Sequence, residues 1–226
     1  FASEVLPVAT IGTTTSITST SATLVASVDA NDTTASVSFE YATSPSLLGT
    51  LDAVIVAATP ATATGSSATS VSADLTGLTP GTSYVARVVA TAGSITVTGS
   101  NATFGTDALI TTSDVDHEYT GSPVVVVSAT TPNGLPLSRT YVGIGDTVYP
   151  SSSTAPTDVG TYRVTSEPTD PAIGGQEVVD ITINPKPMTV TADAVDRDYD
   201  GTDIVELAFT LDGVVGGDDV DADDQH

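Results

Sequence analysis

The chain has 226 residues with no Cys and no Trp, and its 28 acidic residues stand against five Lys and Arg, a formal net charge of −23. Without Cys there is no disulfide framework, no thiolate chemistry and no Cys-based metal centre. Charge of this sign repels nucleic acid and anionic membrane surfaces and attracts cations. Ser, Thr, Ala and Val dominate while aromatics make up 5%, a mix that favours strands over helices. No stretch carries an apolar stripe at helical spacing, and no apolar run is long enough to cross a membrane as a helix. A hydrophobic content of 39%, arranged in alternation, argues against disorder. The length allows two or more domains. Because the chain opens Phe1-Ala-Ser, it reads as a mature or excised piece of something longer.

The first predicted strand is Ser21 to Val28, with Ala22, Leu24, Ala26 and Val28 on one face. Asp29 to Asp32 reads as a turn, and Ser36 to Tyr41 alternates again with Val37, Phe39 and Tyr41 inward. Ala53 to Ala58 reads as a short apolar strand broken at Thr59-Pro60. Val71, Ala73 and Leu75 form another inward set, Tyr84, Ala86, Val88 and Ala90 a further one, and a last strand runs from about Ile95 to Phe104. Short alternating strands between turn signals predict an antiparallel sandwich.

Leu75-Thr-Gly-Leu78-Thr-Pro80-Gly81-Thr-Ser-Tyr84 resembles the E–F corner of a fibronectin type III domain. The resemblance covers about residues 8 to 106. It implies that Leu78 plugs the core, that Pro80-Gly81 turns the chain, and that the Tyr84 hydroxyl bonds back to the turn. The Trp usual in strand B is absent, and Val28 or Ser27 stands about where it belongs. The expected core is therefore small.

Ala108 to Thr112 opens a second module, residues 108–187. The run Val124 to Val127 suits a buried strand, Pro132-Asn133-Gly134 signals a turn, and Val179, Ile181 and Ile183 alternate with Asp180 and Thr182. Asn184-Pro-Lys-Pro187 reads as a stiff linker. Tyr141-Val-Gly143, then Ala155-Pro-Thr-Asp-Val-Gly160-Thr-Tyr162, then Ile181-Thr-Ile-Asn-Pro-Lys-Pro187 resembles, in that order, the mostly β-grasp (MBG) repeats of bacterial surface proteins. That resemblance implies a repeating extracellular module strung with Ig-like and fibronectin-like domains in adhesins, without enzymatic activity.

The module restarts after the linker. Asp116-His-Glu-Tyr-Thr-Gly121 returns as Asp196-Arg-Asp-Tyr-Asp-Gly201, an offset of 196 − 116 = 80 residues, and Val115, Val124 and Ile110 answer Val195, Ile204 and Val190. Residues 188–226 resemble part of a second MBG or YDG-type repeat. They number 39 and hold 12 of the 28 acids. The missing strands of this partial module are expected from elsewhere, either further along a longer chain or donated by another copy.

Candidate ligands follow from that acidity. Asp196, Asp198 and Asp200 before Gly201 fit the opening of a calcium loop, whose oxygen ligands fall at alternate positions. The expected bidentate acid is missing, however, because position 207 is Leu. Asp218, Asp219 and Asp221 form a second calcium candidate, continued by Asp223 and Asp224. For both groups the competing reading is a solvated turn or tail. Neither His117 nor His226 sits in a motif with a nucleophile, so no Ser-His-Asp arrangement has support. Arg87 and Arg163 read as outer-face cross-strand partners. The single Lys, Lys186 between two prolines, argues against a buried Lys–Asn crosslink. Asn31 and Asn101 each open an Asn-x-Thr glycosylation pattern.

The expected protein is an all-β, non-catalytic, structural or adhesive segment at a bacterial cell surface. It comprises a sandwich (1–107), an MBG-like module (108–187) and a partial repeat (188–226). Its expected partners are other copies or modules of the same surface protein and a surface receptor or glycan. Nucleic acid and membrane insertion are not expected. Two alternatives are a filament or surface-layer subunit assembled by strand donation, and an accessory region of a secreted polysaccharide-active enzyme.

Overall fold

The computed structural model describes residues 6–194, 198, 201 and 207–216. Among the described residues the fold is all-β, with one 3-10 turn at Pro45–Leu47. The chain divides into two compact units. The first holds Phe1–Thr111, Ser128–Ser138 and Ser166–Glu177; the second holds Thr112–Val127, Arg139–Thr165 and Val178–His226.

In the first unit β1 (Val8–Ile11) pairs with β2 (Ser21–Asp29), which pairs with β5 (Thr69–Thr76). β3 (Thr33–Ala42) pairs with β6 (Ser83–Ala92), which carries β7 (Ile95–Thr98) and β8 (Ala102–Gly105) along its other side. β4 (Val54–Gly65) joins the two sets, pairing with β3 and touching β5 at Thr59 and Ser72. Period-2 alternation turns one face of each strand inward. Ala22, Leu24, Ala26 and Val28 of β2 are all buried, opposite Leu75, Ala73, Val71 and Thr69. Phe39, Val88, Ala86, Ala90 and Tyr84 fill the same core. Fully burying each Leu or Phe here is worth about 1.5–3 kcal/mol. Between β2 and β3 the chain turns at Asn31 (φ 48°) and Asp32 (φ 60°), residue types that tolerate the left-handed region. The Asp29 carboxylate accepts the Asn31 N–H at 2.8 Å.

Two strand expectations in this unit change. The apolar strand does not end at Thr59-Pro60, because β4 runs on to Gly65. Its pairing with β3 jumps from Ser38↔Ala57 to Ser36↔Thr62, so Pro60 falls in the irregular stretch where no ladder N–H is required of it. The expected last strand is two strands, β7 and β8, whose registers against β6 differ by one residue. On β3, Tyr41 packs against the core as expected, partly buried, and the charged neighbour Glu40 is buried as well.

The second unit is built on β10 (Asp116–Glu118) and on the greater part of β12 (Leu137–Gly143), β13 (Gly160–Pro168) and β14 (Glu177–Asn184), in the sheet order β10-β14-β13-β12. β10 runs parallel to β14, opposite Thr182 to Asn184. Tyr141, Tyr162, Val164, Ile181, Ile183 and Val126 form its core. The Val124–Val127 run is not a buried strand. It joins no ladder, and successive side chains of extended backbone point opposite ways, so Val126 is buried while Val125 and Val127 are 77% and 63% exposed.

The sequence period reappears in the strands. β9 (Leu109–Thr112) pairs with β11 (Ser128–Thr131) as a two-stranded sheet. β15 (Thr189–Ala194) and β16 (Leu207–Asp212) form another, with Val190↔Leu211, Ala192↔Phe209 and Ala194↔Leu207 in register. Leu109 to Thr189 is again 189 − 109 = 80 residues.

Candidate functional site

The polar groups that the sandwich buries are used for fastening. Glu40 is 5% exposed and lies opposite Arg87 in the β3–β6 ladder. Its Oε2 accepts Arg87 Nε at 2.7 Å and meets Nη2 at 2.6 Å, and its Oε1 accepts the N–H of Gly49 in the following loop. One carboxylate therefore ties two strands and the β3–β4 connection. Arg87 is the cross-strand partner that its place in the sequence suggests. Its buried acid had no sequence signal, because a Glu within an alternating strand reads as outward. The Tyr84 hydroxyl accepts the Thr79 N–H at 3.0 Å, closing the corner, and Leu78 is buried beneath it. Tyr84 stacks on Phe104 at 5.4 Å and meets Tyr41 edge-on at 6.1 Å.

The motifs of 108–187 have physical explanations of the same kind. A Cβ on Gly143 would strike the Thr147 carbonyl oxygen and lie 2.7 Å from Tyr149 N, and Gly143 N–H donates to Tyr149 O at 2.9 Å. Only glycine lets these backbones meet. Gly160 packs against Thr147, whose hydroxyl accepts the Thr161 N–H at 3.0 Å. The Tyr162 hydroxyl donates to Asp158 O at 2.7 Å, holding the turn before β13, and its ring meets Tyr149 edge-on at 5.5 Å. Burial pushes the Tyr162 phenol up from its ordinary value, with smaller upward contributions from Asp158 and Tyr149. Arg163 holds Asp180 bidentately, Nε at 2.8 Å and Nη2 at 3.0 Å. Arg163's hydrogen bond draws the Asp180 carboxyl below its ordinary value.

Of the calcium candidates, Asp198 is exposed on the surface. Asp196, Asp200, Asp218, Asp219 and Asp221 lie outside the described residues, as do Asp223, Asp224 and His226. Among the described residues no three His, Asp or Glu side chains gather in a way that would hold a metal ion. In the first copy of the repeat, Asp116 and Glu118 are exposed on β10. His117 between them lies in the same strand. Its side chain is largely buried, with Nδ1 3.9 Å from Asp114. Lys186 is exposed, Asn101 is exposed, and Asn31 is half-buried with its amide donating to Leu6 O at 2.5 Å.

Two open grooves mark the first unit. One, of about 570 Å³, lies between Ile11–Ile17 and Ser100–Phe104. The other, of about 540 Å³, is lined by Asp107, Glu167, Asp170 and the Gly174–Gln176 backbone. Neither brings together an acid, a base and a nucleophile. Glu167 is engaged by Gln176, and Asp170 accepts the Ala172 N–H at 2.9 Å.

No curated protein matches the chain. Among solved structures it is similar to the sensor domain of the anti-sigma factor RsgI4 from Pseudobacteroides cellulosolvens, at 21% identity and a TM-score of 0.35 over 46% of this chain and 97% of that one. It is also similar to red sea bream transglutaminase, at 10% identity and a TM-score of 0.32 over 80% of this chain and 31% of that one. The stretch whose glycines and tyrosines were just described, residues 108–187, matches the family model of the MBG domain.

Proposed function

We propose that this chain is a non-catalytic structural or adhesive segment of a bacterial surface protein, a stalk or fibre body made of tandem β-modules. The observation that carries this reading is the MBG match over 108–187 together with its restart 80 residues later. MBG domains occur in surface proteins. A module repeated at fixed spacing extends a chain in proportion to copy number, which suits a spacer. The net charge of −23 suits an exposed surface and disfavours nucleic acid as a partner. The strand sets β1-β2-β5 and β4-β3-β6-β7/β8, with the Tyr84 corner, support reading the first module as fibronectin type III-like. The partners on this reading are neighbouring modules of the same protein and a surface receptor or glycan.

Sedimentation velocity over a wide concentration range, combined with negative-stain electron microscopy, tests the proposal. A stalk segment stays monomeric throughout. Concentration-dependent fibres would replace it with the filament-subunit reading, in which β15–β16 is completed by a strand from another copy. Retention by an insoluble polysaccharide would favour an accessory region of a polysaccharide-active enzyme.

A further inference from the structure

The boundary between the sandwich and the MBG domain is densely bonded. Gly81 N–H donates to Asp107 O at 3.0 Å, Asp107 N–H to Thr18 O at 3.1 Å, Thr106 N–H to Thr82 O at 3.0 Å and Ala108 N–H to Gly174 O at 2.9 Å. Thr106 is fully buried, its hydroxyl accepting Thr82 N–H at 2.9 Å and donating to Thr79 O at 2.7 Å. Backbone also packs on backbone there. A Cβ on Gly105 would collide with Ala172 O, one on Gly174 with the Asp107 carboxylate, and one on Gly81 with Pro132. A Cβ on Gly175 would sit 2.5 Å from Ala108 O. Gly105 and Gly174 do not have positive φ, so what these positions require is space and not an unusual backbone.

We infer that residues 166–177, with β9 and β11, are built into the folding unit of the sandwich, so that position 107 is a stitched seam and not a hinge between independent beads. Every contact just named lies inside the first compact unit, which draws in Ser128–Ser138 and Ser166–Glu177 from the MBG stretch. The pattern recurs one period later. The opening hairpin of the next repeat, β15–β16, belongs to the same compact unit as most of the four-stranded sheet before it, and a Cβ on Gly121 would lie 2.7 Å from Val215 Cγ1, just past β16. The first repeat thus lends its opening two-stranded sheet, β9–β11, to the sandwich. An array built this way resists bending and unfolding at its joints.

Native-state hydrogen exchange of the full chain, read by peptide mass spectrometry against urea, decides the matter. The expected result is that peptides covering 105–112, 128–138 and 169–176 exchange within about tenfold of those in β2 and β6, with the same urea dependence, as members of one cooperative unit do. A gap larger than about tenfold, the mark of local fraying, overturns the inference. Gly105→Ala adds a second arm. It should speed exchange in β2 and β6 together with the seam peptides, whereas loss confined to the seam refutes a shared unit. Gly216→Ala, with no atom of the described residues within 4 Å of the added Cβ, is the control. The unmodified chain still decides the question if Gly105→Ala does not fold.

Discussion

Replacing Arg87 with Ala leaves the Glu40 carboxylate buried with only the Gly49 N–H as partner. The Glu40 side chain is 6% exposed and that of Arg87 22%. Removing one member of a fully buried pair costs about 3–5 kcal/mol, and the partial exposure of Arg87 places the expected loss at the lower end, about 3 kcal/mol. With an m-value of about 2 kcal/mol/M, urea unfolding followed by far-ultraviolet circular dichroism should show the sandwich midpoint fall by about 1.5 M. The two halves of the pair are not equivalent. Glu40→Val should cost less, about 1 kcal/mol, because the freed guanidinium can swing into water and the Gly49 N–H, in an exposed loop, can hydrate. The double replacement Glu40→Val/Arg87→Val should recover most of the loss, since a β-branched cross-strand pair suits this ladder. If Arg87→Ala costs no more than about 0.5 kcal/mol, or if Glu40→Val proves the costlier change, the pair is an ordinary surface bridge and the fastening argument fails.

Tyr84→Phe keeps the stacked ring but strips the acceptor from Thr79 N–H, and should lower sandwich stability by about 1–2 kcal/mol in the same urea assay. Burial raises the phenols of Tyr41, Tyr141 and Tyr162 from their ordinary value, so these tyrosines should ionise late in an ultraviolet difference titration. Because the folded-state values are the raised ones, stability from these groups is intact below pH 10 and is lost as pH rises through the folded values; a plateau to strongly alkaline pH would contradict this. The Asp180 carboxyl is held below 3.8, chiefly by Arg163's hydrogen bond, so its contribution is present above that value and disappears as pH falls through the lowered one. Asp180→Asn should therefore flatten the acid limb of a stability profile. The effect should be small, because the two side chains are 43% and 49% exposed.

Local patterns were legible in the chain because they are local. Alternation in Ser21–Val28 or Val179–Ile183 names the inward face of a strand without reference to its neighbours. Tyr84 and Tyr162 each bond backbone within five residues, so their corners can be read from short motifs. The 80-residue period needed nothing but the sequence. Partners distant in sequence were not legible. Glu40 is a charged residue in an alternating strand until β6 brings Arg87 across a separation of 47 residues. β4 runs past Pro60 because β3 accommodates an irregularity in register there, and that is a property of the pair and not of either strand. Val124–Val127 lacks a ladder, so half of an apolar run faces water. The extent of the folding units was equally out of reach. A boundary at residue 107 follows from motifs, whereas the bonds from Asp107 and Ala108 to Thr18 and Gly174 exist only once the chain has folded back on itself. Sequence alone therefore determined the 80-residue period, the strand class and the inward faces, through patterns that close within a few residues or recur along the chain. Tertiary structure alone decided which charges are buried and which backbone groups bond across residue 107, because hydrogen bonds and close packing join groups by distance in space, whatever their separation along the chain.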